Sequence, residues 1–333
     1  DKLLIDNWRK ASYRSTLVPV SLAPGSVHAL RLEFFESAAS ARVRLVWDTT
    51  RADQSQERID SAAALARRSD AVVVVAGIEE GEFHDRSSLS LPGRQEDLIL
   101  AVAATGKPVT VVLVGGSAIT MSHWIDRVGA VLLAWYPGEE GGHAVADVVL
   151  GDENPAGRLP ITFPIAEGQL PLRYNHKPTG RGDDYVDLTG EALFPFGHGS
   201  SYTRFEYSDL HIEPESIGPG GHARITFRVR NAGARAGDEV PQLYVRPVLS
   251  PVAQPVMALK AFTRVHLAAG EERQLTFVLN ARDLAILDEQ MRWVLPESAT
   301  TLLIGASSKD IRLRGELASV RYRDSKRTVR SSR

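Results

Sequence analysis

The chain has 333 residues, 43% of them hydrophobic and 24% charged, with a formal net charge of −2, the profile of ordinary globular domains and long enough for two or three of them. That balance provides no concentrated basic face for nucleic-acid phosphates or an anionic membrane, and no apolar run approaches the roughly 20 residues of a membrane helix. Cysteine is absent, which excludes disulfides, a thiol nucleophile and thiolate metal sites and leaves the redox compartment open.

Residues 1–50 read as β structure: LLIDNW, STLVPVSL, HALRLEFFES and ARVRLVWD, with Pro24-Gly25 as a turn. So short a piece buries little core alone, so it is expected to complete a larger sandwich. The sequence opens at Asp1 inside what reads as a strand and is expected to be a fragment of a longer protein. Residues 51–60, RADQSQERID, are polar and unpatterned, a linker into a helix around Ser61–Ser69. From Asp70 strands and helices alternate. Strands are expected at 71–76, in PVTVVLVGG and in AVLLAWY, and helices near Gln95–Thr105, Met121–Asp126 and His143–Leu150. This argues a parallel sheet with helices on its faces, whose first strand, an unbroken β-branched run, is buried on both sides. Residues 165–203 are loop-rich. From Phe205 alternation returns in DLHIEP, HARITFRVRN, EVPQLYVRP, MALKAFTRVHL, RQLTFVLN, MRWVLP, TTLLIGAS and IRLRGEL, with turns at Asn231-Ala-Gly and Ala269-Gly-Glu. That spacing suits one immunoglobulin-like sandwich of about a hundred residues. Residues 321–333 form a basic tail.

Chemistry concentrates in residues 71–100, AVVVVAGIEEGEFHDRSSLSLPGRQEDLIL. Ligand sites in open α/β sheets lie just past the carboxyl ends of strands, and here Glu79, Glu80, Glu82, His84, Asp85 and Arg86 follow such an end. Carboxylates packed this closely repel one another, so at least one is expected to have a raised pKa and to donate a proton near neutral pH. The alternative is a solvated acidic turn in which Asp85 and Arg86 pair locally. Trp135, Tyr136, Pro137 and Gly138 follow the third strand, and an aromatic there, Trp135 above all, is either a sugar-stacking platform or an anchor for packing. Glu139, Glu140 and His143 sit where a helix begins, which favours acids without any function. Tyr174, Asn175 and His176 either line a substrate entrance or belong to a loop that only connects. No HExxH, calcium-hand loop, phosphate loop or dinucleotide fingerprint is present, so no metal and no cofactor are expected. Gly115-Gly116-Ser117 lacks the surroundings of a GxSxG elbow, which leaves a serine hydrolase as a weak alternative.

The order of these pieces, together with GEFHDRSSLSLPGRQ, LLAWYPGEEGGHAVADVVLGDENPAGRLPITFP, FPFGHGSSYT, LKAFTRVHLAAGE and LIGASSKDIRLRG, resembles glycoside hydrolase family 3, the β-glucosidase and β-xylosidase family, over essentially the whole chain. The resemblance implies a multidomain α/β plus all-β fold: residues 1–50 as the end of a PA14-like β-sandwich, 61–203 as part of the family's α/β sandwich, and 205–320 as a fibronectin type III-like domain. It also implies a retaining, exo-acting hydrolase of terminal β-linked sugars, with an aspartate nucleophile from an N-terminal barrel that has no counterpart in this sequence and a glutamate acid/base from a loop of the α/β sandwich. In the family that glutamate lies three residues before an Asp-Arg pair. Glu82 holds this place, but Phe83-His84 stands where glycine and an aromatic are usual, which keeps Glu80 as the second candidate. Asp85 and Arg86 are then expected to fix the loop, and Trp135, Tyr174 and His176 to contact substrate. Alone, the fragment is expected to be inactive. A non-catalytic carbohydrate-binding or structural module is the rival reading. The sugar and the oligomeric state stay open, and a periplasmic or secreted location fits as well as any.

Overall fold

The computed structural model describes residues 2–9, 15–35, 43–46, 54–82, 85–179 and 182–320. Two compact units divide the chain: Asp1–Ser117 with His123–Gly138, and Ala118–Ser122 with Glu139–Arg333. No helix among the described residues is long and apolar enough to cross a membrane.

In the first unit, helix α1 (Ser55–Arg67) leads into strand β1 (Val72–Gly77), helix α2 (Gln95–Ala103), strand β2 (Val109–Val114) and strand β3 (Ala130–Trp135). The three strands lie in the order β1-β2-β3 and all run parallel, with Val72 opposite Val109 and Thr110 opposite Ala130. Helix α1 starts well before the expected Ser61, so Ser55–Asp60, read as linker, are its first turns. The reason is Ile59, which is buried with Ala63 and Ala66 at helical spacing and extends the apolar stripe backwards. The core between helices and sheet holds these residues together with Ile99 and Val102 of α2, Val74 and Ala76 of β1, and Val111 and Leu113 of β2.

Three expectations are corrected here. Strand β1 is buried on one face only: Val74 and Ala76 are inside, whereas Val73 and Val75 are 48% and 65% exposed. A β-branched run records strand propensity and does not say how many faces are covered. The helix expected near Met121–Asp126 is a single 3₁₀ turn, Ile125–Arg127, beside a completely buried Trp124. Among the described residues before α1 there is no strand. Leu30 and Leu32, which alternation would place inside, are 65% and 53% exposed. Alternation supplies an apolar face, but a strand needs a hydrogen-bonded neighbour and a layer to pack on.

The second unit opens with helix α3 (Gly141–Leu150), stopped by Gly151 in the left-handed region at φ +87°. A long loop follows, and then the strands β4 (Phe205–Glu213), β5 (Ser216–Ile217), β6 (His222–Asn231), β7 (Gly237–Glu239), β8 (Gln242–Pro247), β9 (Ala258–Phe262), β10 (Val265–Leu267), β11 (Glu272–Asn280), β12 (Ile286–Leu287), β13 (Trp293–Val294), β14 (Ala299–Gly305) and β15 (Ile311–Ser319). They form a five-stranded sheet, β5-β15-β14-β8-β9, and a three-stranded one, β11-β6-β4, with the short pairs β10-β7 and β12-β13 at their margins. Every second residue of β6 from Ala223 to Val229 is fully buried, packed in one core with Leu243, Phe277, Leu279, Leu302, Ile304 and Leu317. This is the sandwich read from the sequence. One refinement concerns MALKAFTRVHL, which reads as one strand and is two: β9 pairs with β8, and β10 leaves that sheet to pair with β7.

Candidate functional site

The carboxyl ends of β1 and β2 carry three glycines, Gly77, Gly115 and Gly116, that let neighbouring groups close up. A Cβ on Gly77 would sit 2.1 Å from the carbonyl oxygen of Val114, and one on Gly115 would sit 2.3 Å from Cγ1 of Ile78. The Gln95 side chain, at the start of α2, both accepts from the Gly77 N–H at 2.7 Å and donates to its carbonyl at 2.9 Å. The loop between β1 and α2, with all its acids, is therefore held at both its roots.

Glu80 is the centre of this end of the sheet. Its carboxylate accepts from the Gly116 N–H at 2.8 Å and the Ser117 hydroxyl at 2.5 Å, both just past β2, and from the Tyr136 phenol at 2.5 Å, just past β3. The Ser117 hydrogen bond, followed by that of Tyr136, holds the Glu80 carboxyl below the usual carboxylate range; partial burial opposes this, and the Gly116 N–H and the Arg86 charge add to it. The same bond pushes the Tyr136 phenol up. Gly116 has no side chain because there is no room for one: a Cβ would lie 2.6 Å from Cε2 of the Tyr136 ring and 2.8 Å from the Glu80 carboxylate. At Glu80 the displacement thus has the opposite sign to the rise expected from crowded carboxylates, because three donors favour the anion.

Glu82 lies two residues along the same loop, exposed and without a hydrogen bond from a described residue. Phe83 and His84 fall outside the described residues. Asp85 is exposed and forms no ion pair with Arg86, contrary to the local pairing that the solvated-turn alternative required. Arg86 instead folds back on the loop: Nη1 donates to the Ser90 carbonyl at 3.0 Å, while Nη2 is buried without a hydrogen-bond partner. Trp135 is half-buried at the end of β3 with a left-handed backbone at φ +52°, and its neighbour Tyr136, 57% exposed, reaches the acid loop through its phenol.

Tyr174 and His176 belong to the second unit. The Tyr174 ring stacks on Phe196 at 4.2 Å and meets Tyr244 edge-on at 5.8 Å, and its oxygen accepts from the Leu259 N–H. His176 sits between the Arg173 carbonyl at 2.9 Å and the Asp183 carboxylate at 3.1 Å. Both therefore act as packing and loop-closing groups there. His143 pairs with Glu140 at 2.7 Å on the exposed first turn of α3.

Sequence reasoning missed Gly116 and Ser117 as members of the site, although it named the glycine-serine stretch in another connection, and it read Tyr136 as a platform or packing aromatic without connecting it to Glu80. The rule that ligands gather past strand ends points to the acids after β1 and the aromatics after β3; applied equally to β2 it finds Gly116 and Ser117. The Ser117 hydroxyl donates to a carboxylate held below its usual range, a weaker base than a nucleophilic serine needs beside it. Among the described residues no group of three or more His, Asp or Glu is placed to hold a metal ion.

Residues 9–202 match the glycosyl hydrolase family 3 C-terminal domain, and residues 239–308 match the fibronectin type III-like domain. The chain is 35% identical over 270 residues to a periplasmic beta-glucosidase of Salmonella typhimurium, covering 77% of this chain and 35% of that protein. It is 38% identical over 263 residues to a beta-xylosidase of Formosa agariphila, covering 77% and 36%, and 39% identical over 278 residues to thermostable beta-glucosidase B of Acetivibrio thermocellus, covering 78% and 36%. The chain thus spans about a third of the length of these relatives. Among solved structures, the beta-glucosidase from Listeria innocua in complex with glucose superposes with a TM-score of 0.76 at 31% identity, covering 80% of this chain and 39% of that one.

Proposed function

The chain belongs to glycoside hydrolase family 3, and on that premise we propose that it provides the proton-donating loop of a retaining, exo-acting β-glycosidase, with Glu82 as the general acid/base. Relatives named as beta-glucosidases and a beta-xylosidase support the activity class. In this reading Glu82 first protonates the departing glycosidic oxygen, then takes a proton from the water that opens the glycosyl-enzyme intermediate. The nucleophile is an aspartate from a barrel outside these residues, about 5–5.5 Å from the acid/base across the anomeric carbon. Hydrolysis of terminal β-linked sugars is thus an activity of the whole enzyme, and these residues alone are expected to turn over little or no substrate.

The observation that carries the choice of glutamate is the contrast within one loop. Glu80 accepts three hydrogen bonds and is held as an anion, whereas Glu82 is exposed and uncommitted. A general acid must be protonated before it reacts, which Glu80 resists. In the complete enzyme Glu82→Gln should lower kcat/KM by about 10²–10⁴-fold, the usual contribution of acid/base catalysis. The loss should be much larger for alkyl glycosides, whose leaving groups need the proton, than for nitrophenyl glycosides. Equal losses on both would remove Glu82 from the role.

Residues 1–50 fit the closing part of a PA14-like sandwich. Leu30, Leu32 and Phe34 alternate along one segment at 65%, 53% and 47% exposure, an apolar face of the kind a sheet from elsewhere in the protein would cover.

A further inference from the structure

We infer that Glu80 is a positioning residue of this site: as a carboxylate tied to the ends of the second and third strands, it fixes the loop that presents Glu82. The inference rests on the reading of Glu82 as the acid/base.

Glu80 is joined to Glu82 by two residues of chain, a span of at most about 7 Å. Any movement of the first is passed directly to the second. The three donors come from different elements: a backbone N–H and a hydroxyl follow β2, and a phenol follows β3. One side chain thus triangulates the loop against the sheet. Oε2 takes two of these bonds and Oε1 the third, an arrangement that favours the ionised group, since each of the three bonds is stronger to a charged acceptor. The charged or titratable groups acting on it are Tyr136 from the β3 end and Arg86 from the loop itself, while β2 contributes only uncharged donors. The folded-state pKa is lowered, so the tie is intact at neutral pH and is lost as pH falls through that lowered value. Catalytic groups need placement to within about 0.5 Å, and a displacement of 1 Å can cost about 100-fold in rate. A loop carrying an otherwise uncommitted acid needs such an anchor close by.

The test uses the complete enzyme that contains this chain, with Glu80→Gln, Glu80→Ala, Tyr136→Phe and Glu82→Ala variants. Glu80→Gln should lower kcat by about 100-fold with KM within about twofold, because the binding surface is kept and only the proton donor is displaced. Amides of the loop from Ile78 to Ser90 should exchange faster in that variant, with those of Val111 and Val112 in β2 unchanged, which also shows that the protein is folded. Tyr136→Phe removes one donor, so loop protection should be lost at a higher pH on acidification than in the parent. Azide should restore turnover to Glu82→Ala and not to Glu80→Ala. Unchanged kcat and loop exchange in Glu80→Gln would overturn the positioning role while leaving Glu82 in place. Azide rescue of Glu80→Ala instead would make Glu80 the acid/base and overturn both.

Discussion

The glycines at the strand ends separate two kinds of close approach. A methyl group on Gly77 would meet the carbonyl oxygen of Val114 at 2.1 Å, and a sheet backbone has nowhere to go. Gly77→Ala should therefore destabilise the first unit by about 1–3 kcal/mol, as overpacking does, read as a lower urea midpoint at unchanged slope. At Gly116 the obstacles are the far ends of two side chains, the Tyr136 ring and the Glu80 carboxylate. There the backbone can stay and the ring swings out. Gly116→Ala should leave the urea midpoint nearly unchanged and raise hydrogen exchange in the loop from Ile78 to Ser90, as losing the Tyr136 bond would. What the sequence could show at this scale follows from separation along the chain. The acids stand together within a few residues and were legible, whereas Ser117 and Tyr136 lie 37 and 56 residues from Glu80. No local pattern connects them, so the sign of the pKa displacement could not be read.

Among elements, those with a sharp local signal were legible and those defined by a neighbour were not. Helix α2, helix α3 and all three parallel strands lie where apolar spacing and terminal glycines place them. The cover over β1 and the split between β9 and β10 depend on what lies alongside, which periodicity does not encode. A further feature of this kind is the ion pair between Arg158, in the loop after α3, and Glu239 of β7. It is 2.6 Å long with the side chains only 9% and 5% exposed, and Glu239 also accepts from the Val240 N–H. In sequence these are two ordinary surface residue types. Removing one partner leaves the other charge buried, so Arg158→Met should destabilise the second unit by about 3–5 kcal/mol. Joining it to Glu239→Leu should recover much of that loss, because the pair's own desolvation is relieved. Denaturant titration of the two single variants and the double variant measures the coupling.

At the scale of the molecule, each unit has its own hydrophobic core, and the two cores differ in kind. The sandwich core was legible because strict alternation in β6 marks the inward positions one by one, whereas β8 and β14 carry consecutive buried residues. The small parallel sheet was legible in order and direction, but its open face was not, since coverage is a property of the assembled layers. Residues 1–50 carry an equally clear alternation and form no strand among those described, which shows that a pattern predicts a face and not its partner. Separate cores predict separable stability. Phe227 is completely buried, with Phe277 at 5.4 Å and Tyr207 at 6.3 Å from its ring. Truncating it empties the middle of the sandwich, and Phe227→Ala should cost about 3–5 kcal/mol there. For a unit of this size each kcal/mol lowers the midpoint by about 2–4 °C, so the sandwich transition should fall by about 6–20 °C. Val111 and Val112, buried in the parallel sheet, have no part in that core, and exchange of their amides below the lowered transition should be that of the parent protein. Loss of their protection in step with the sandwich would mean that the two cores unfold as one cooperative body.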